Sequence, residues 1–131
     1  MCMIHCPVSG HTQSLPVKAK VFLQGAWSTT SGMRTSLTQS AAFPADQPFI
    51  APPFYYPGGE HIDTVSDSLV DWVLLELRTT IDTVVGRRAA LLMQSGNIRD
   101  TSLAPGVMLE GIDTGYYYLV VKHRNHLPVM S

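Results

Sequence analysis

Charge is scarce in this chain. Lys and Arg number 9 and Asp and Glu 10 among 131 residues, so only 15% are charged and the formal net charge is −1. Such a balance lacks the basic footprint by which proteins hold nucleic acid, and no nucleic-acid partner is expected. The two small cationic groups, Arg87-Arg88 and Lys122-His123-Arg124, read as solvated faces. Cysteine is nearly missing as well. A disulfide between the only two, Cys2 and Cys6, would close a loop too small to staple a domain. With His5 and His11 they form one loose cluster without the second knuckle of a zinc site. No apolar run approaches the roughly 18 residues of a membrane span, since Asp71 and Glu76 interrupt Leu69 to Leu77, so membrane insertion is not expected. The opening MCMIHCPVSGHTQS lacks the basic-then-apolar order of a secretory signal. Neither Gly-x-Ser-x-Gly nor a cysteine in an electropositive setting is present, so no nucleophile stands out and no cofactor is implied.

Apolar residues are plentiful: 45% of the chain and a mean hydropathy of +0.10 suit a packed core. The length matches one domain, read as a flexible lead over 1–15 and a module over 16–131. The strongest element is GYYYLVVKHRNHLPV, Gly115 to Val129. Between Tyr116 and Asn125 it has no Gly or Pro, and its three Tyr and two Val are strand formers. A period of two puts Tyr117, Leu119, Val121 and His123 on the core face, with Tyr116, Tyr118, Val120, Lys122 and Arg124 opposite. Pro128 ends the ladder.

VKAKVFLQG alternates too, with Val17, Ala19, Val21 and Leu23 inward, closed by Gly25. From Ala26 to Glu60, Pro44, Pro48, Pro52, Pro53 and Pro57 break any ladder. The segment is expected to be a long covering loop packed down through Phe43, Phe49, Phe54, Tyr55 and Tyr56, with a helical turn near Met33 to Ser40 as one option. HIDTVSDSLVDWVLLELRTT fits both a helical stripe and a strand face, and so does TVVGRRAALLMQSGN. A turn at Gln94 to Asn97, a returning strand to Asp100, and a strand over Pro105 to Ile112 with Val107 and Leu109 inward follow.

The order VFLQGAW, QPFIAPPFYYPGGE, VDWVLLELR, RRAALLMQSGNI and YYYLVVKHRNHLPVMS resembles a module of large exported bacterial surface proteins, of the haemagglutinin-like or adhesin-like kind. The resemblance spans Val17 to Ser131. It implies an all-β fold, which turns both ambiguous segments into strands, and an extracellular or cell-surface setting with dockerin-like calcium-binding repeats downstream. It carries no catalytic residues. The expected fold is then a single antiparallel β-sandwich of about seven strands with a Pro- and aromatic-rich covering loop.

The expected function is a non-catalytic module for adhesion or scaffolding, with a glycan or another surface protein as partner. A carbohydrate-binding module is the second reading. Its sites would be Tyr55 and Tyr56 on the loop, Trp72, and the tip His123, Arg124, Asn125 and His126, where imidazole, guanidinium and amide groups can hold hydroxyls or a carboxylate. Against this, His123 and Asn125 are placed to tie loop backbone. Glu76 is expected in a surface ladder with Lys122, Arg124 or Arg88. Asp71 and Glu76 face opposite sides of a strand, which argues against a paired-carboxylate hydrolase, the third reading. Glu60, His61, Asp63 and Asp67 read as a polar turn, because their spacing matches no calcium loop.

Overall fold

The computed structural model describes residues 3–6, 13–21, 27–28, 32–33, 43–104, 106–112, 115–124 and 126–130. Ten strands occur among them, and no helix. In order they are β1 (Met3–Cys6), β2 (Gln13–Val17), β3 (Trp27–Ser28), β4 (Gly32–Met33), β5 (Leu69–Arg78), β6 (Val84–Met93), β7 (Ile98–Arg99), β8 (Val107–Ile112), β9 (Gly115–His123) and β10 (His126–Met130).

The main sheet runs β1-β9-β5-β6-β7, all antiparallel. β1 and β10 divide the outer edge of β9 between them: β1 pairs Met3 to Cys6 with Tyr118 to Gly115, and β10 pairs His126 with His123 and Met130 with Val120. The stretch expected as a lead therefore contributes β1 and most of β2.

β2 and β8 form a second sheet, and β3 with β4 a small ribbon. A parallel bridge from Arg99 to Gly106 and an antiparallel bridge from Lys20 to Asn97 link β7 and its turn to β8 and the chain beyond β2. The all-β, antiparallel architecture is the one expected. In place of two facing sheets of a seven-stranded sandwich, one six-stranded sheet curls until the β2–β8 pair covers one of its faces.

β5 is enclosed on both sides. Val73, Leu75 and Leu77 meet Val17, Val107, Leu109 and Ile112 of the second sheet, together with Leu119 and Val121 of β9. Trp72 and Leu74 meet Phe49, Tyr56 and Ile62 of the Pro-rich loop, with Phe43 and Phe54 at the margin. A strand covered twice reads as a continuous apolar run. That is why LVDWVLLELR fits a helical stripe as well as it fits a strand.

β9 places Tyr117, Leu119, Val121 and His123 inward as expected, each no more than 7% exposed. The chain after Val17 departs from expectation. Its inward set does pack on the core, through Val17, Ala19 and Val21, but the regular strand stops at Val17. Beyond it the backbone bonds the β6–β7 turn: Val21 donates to the Gly96 carbonyl and Ile98 donates to Ala19. Leu23, Gly25, Cys2 and His11 lie outside the described residues, as does the helical turn expected near Met33 to Ser40 except for Met33, which ends β4.

Candidate functional site

The loop over 43–62 is held down by side chains. The Trp72 indole Nε1 donates to the Pro44 carbonyl at 2.9 Å. The Gln47 amide donates to the carbonyls of Tyr56 (3.0 Å) and Gly58 (2.8 Å), and its oxygen accepts from the Phe49 amide at 2.7 Å. Arg87 donates to the Phe54 carbonyl at 2.8 Å and lies 5.4 Å from the Tyr56 ring centroid. Phe49 and Phe54 pack edge to face with centroids 5.0 Å apart. Burying a side chain such as Phe49 contributes about 2–3 kcal/mol, more than any one of these hydrogen bonds. On this fixed frame two large apolar side chains point outward: Ile50 is 67% exposed and Tyr55 66%. Tyr55 also has a φ of +50°, a conformation that the surrounding ties must hold in place.

The polar tip is differently employed. Asp71, fully buried, accepts four hydrogen bonds: from the Trp72 amide (2.8 Å) and Arg124 Nη2 (2.9 Å) at Oδ1, and from His123 Nε2 (2.8 Å) and Arg124 Nε (3.2 Å) at Oδ2. A carboxylate only accepts, so His123 carries its proton on Nε2 toward Asp71. Burial alone would raise the Asp71 carboxyl, but the His123, Trp72 and Arg124 donors outweigh it and hold the group below its ordinary range. His123 is thus an anchor, and the partner at its Nε2 is the Asp71 side chain. The Arg124 guanidinium also sits 6.0 Å from the Phe43 ring centroid, at the loop margin.

Glu76, on the opposite face, is 3% exposed and accepts from Lys122 Nζ at 2.7 Å and Arg78 Nη2 at 2.9 Å. Lys122 is the partner expected, but the surface ladder is replaced by a buried carboxylate between two cations. Burial again raises its carboxyl, and the Lys122 and Arg78 hydrogen bonds bring it below the ordinary value.

A cavity of about 250 Å³ opens where β6 passes β8, walled by Tyr56, Glu60, Arg87, Arg88, Met108 and Glu110. The Tyr56 hydroxyl donates to Glu60 Oε1 at 2.5 Å. Burial and the Glu60 carboxylate push the Tyr56 hydroxyl pKa up, so it stays a donor at any ordinary pH. Gly58 packs against this pair, and a Cβ there would collide with both the Tyr56 hydroxyl and Glu60 Oε2. Arg88 donates to the Met108 carbonyl and to Asp100. Its Nε lies 3.9 Å from Glu60 Oε1. Glu60 Oε2 and Arg88 Nε are shielded from solvent and lack hydrogen-bond partners among the described residues, at a cost of about 1–3 kcal/mol each.

The sequence-derived candidates therefore separate. Tyr55 faces solvent and Tyr56 lines the cavity, whereas Trp72, fully buried, serves the loop. His123 and Arg124 converge on Asp71. His126 pairs through its backbone in β10, and Asn125 lies outside the described residues. Arg87 and Arg88, read from sequence as solvated, hold the loop and the second sheet. In the polar turn, His61 meets Asp46 at 2.6 Å, and this hydrogen bond raises its pKa; Glu60 leaves that group for Tyr56. No group of three or more His, Cys, Asp or Glu among the described residues is arranged to hold a metal ion. Nor is any helix among them long and apolar enough to cross a membrane. Comparison with protein-family models, with curated proteins and with solved structures finds no match to this chain.

Proposed function

We propose that the chain is a non-catalytic binding module of the adhesion or scaffolding kind, a sandwich-like unit of an extracellular or cell-surface protein. Its contact surface would be the anchored loop over 43–62. The supporting observation is the outward placement of Ile50 and Tyr55, 67% and 66% exposed, on backbone tied by Trp72, Gln47 and Arg87. Apolar groups held in one geometry lose little conformational freedom when a partner covers them, and a rigid tyrosine is a frequent centre of binding energy. The partner is a glycan or another surface protein.

Within that reading, glycan recognition draws support from the loop rather than from the tip, because Asp71 already engages His123 Nε2 and the Nε and Nη2 donors of Arg124. The test uses beads coated with the chain on a glycoprotein-coated surface. Wild-type beads should hold, and beads carrying Tyr55→Ala with Ile50→Ser should release at the same flow, with the melting temperature unchanged. Equal retention of the two would overturn the proposal. A glycan array probed with the wild type, Tyr55→Ala and Arg124→Ala then separates a sugar from a protein partner.

A further inference from the structure

We infer that the cavity between β6 and β8 is a binding site for a neutral, hydroxyl-rich ligand, one sugar ring of a glycan. The inference rests on the glycan form of the reading above but uses different side chains. Two carboxylates, Glu60 and Glu110, and two guanidiniums, Arg87 and Arg88, line a space of about 250 Å³. An anion would meet the carboxylates there and a cation the guanidiniums. A hydroxyl donates to the first and accepts from the second, so a polyol can satisfy both signs at once.

The wall has bonding capacity left over. Among the described residues Glu60 spends Oε1 on Tyr56 and nothing on Oε2, and Arg88 leaves Nε unused, 3.9 Å from Glu60 Oε1. A gap of this size lets a hydroxyl oxygen lie about 2.8 Å from each group. Both unpaired atoms are shielded from solvent, so entry of the ligand turns the Glu60 carboxylate about its terminal torsion, which has a broad profile. Such a turn moves Oε1 off the Tyr56 hydroxyl as well as Oε2 off Gly58, and hydrogen bonds to the ligand replace both contacts. The Tyr56 ring adds an aromatic wall beneath Arg87.

The experiment is saturation-transfer NMR on the whole chain with glucose, galactose, mannose, N-acetylglucosamine, glycerol and acetate, each at about 10 mM, above the millimolar affinity of a single sugar contact. At least one hexose should receive saturation from the wild type, with the signal about tenfold weaker in Glu60→Gln and unchanged in Ile81→Ala, an exposed residue that does not line the cavity. Glu110→Gln, on an exposed strand position, serves as a second variant should Glu60→Gln fold poorly, and should also weaken the signal. Silence from every hexose, equal signals from glycerol or acetate, or an equal loss in Ile81→Ala would each overturn the inference. Failure of the adhesion reading shows separately, in bead retention insensitive to Tyr55 and Ile50.

Discussion

His123 Nε2 lies 2.8 Å from Asp71 Oδ2 across 52 positions of sequence, and both side chains are buried. The pair joins the start of β5 to the end of β9, and the Arg124 fork closes over it. Removing one partner of such a cluster strands the others. Asp71→Ala should lower the unfolding free energy by about 3–5 kcal/mol, since it leaves Arg124 without its counter-ion in a partly buried site. His123→Ala should cost about 1–3 kcal/mol, the range for an unmet buried hydrogen bond. Urea unfolding checks both, and losses under about 0.5 kcal/mol would show that the cluster holds nothing together.

Acid should weaken the fold through the same groups. The Asp71 and Glu76 carboxyls sit below their ordinary values of 3.8 and 4.5 in the folded chain. In the unfolded chain they take up protons at those ordinary values. Between the ordinary and the lowered value the unfolded state binds more protons, so stability falls as pH falls through this window. The contribution is complete above about pH 5 and is lost progressively below it, with a slope of up to about 1.4 kcal/mol per pH unit for each group. Denaturant midpoints from about pH 6 to pH 3 should fall steeply for the wild type and less steeply for Glu76→Gln. Parallel curves would exclude Glu76 as a contributor.

The strand faces were legible from alternation wherever one side of a strand meets solvent. β8 alternates from Val107 to Glu110, with Val107 and Leu109 buried and Met108 and Glu110 exposed, and shifts phase at Gly111. β9 reads correctly on its inner face, although Val120 on the other face is also buried. β5 was not legible, because two different covers bury it and alternation disappears. The end of β2 at Val17 is hidden for another reason: backbone bonds to the β6–β7 turn, formed at long range, replace a ladder without changing which side chains face inward. The site followed the same division. A polar His at an inward position announces a buried partner, but Asp71 as that partner depends on the β5–β9 register, which pairs Leu75 with Val121. Nothing in the local sequence of Glu60 or Arg88 signals that they share a cavity wall.

The loop over 43–62 should loosen without the rest of the fold when its indole tie is cut. Trp72→Phe keeps most of the buried apolar bulk and deletes the hydrogen bond to the Pro44 carbonyl. The expected cost is about 1–2 kcal/mol. It should appear as faster amide exchange at Gln47, Tyr56 and Ile62, whose N–H groups bond within the loop, with β9 amides unaffected. Uniform acceleration across both regions would show that the loop and the sheet open as one unit.

Gly86 of β6 lies directly beneath Ile112 and Leu109 of β8, in the second sheet. A Cβ at this position would lie 2.9 Å from Ile112 Cδ1, while its next neighbours, Ile112 Cγ1 and Leu109 Cδ2, stand at 3.6 and 3.8 Å. Gly86→Ala should therefore be destabilising despite the better strand propensity of alanine, by about 1–3 kcal/mol for an overpacked contact. Ile112→Val removes the one methyl in conflict and by itself costs about 0.5–1.5 kcal/mol. Combined, the two changes should be less damaging than their sum, because the added methyl refills the space that the deleted one vacates. A thermodynamic cycle from chemical unfolding measures this directly. Strict additivity would mean that the second sheet can move away from β6 freely, and that the glycine is not required by the approach of β8.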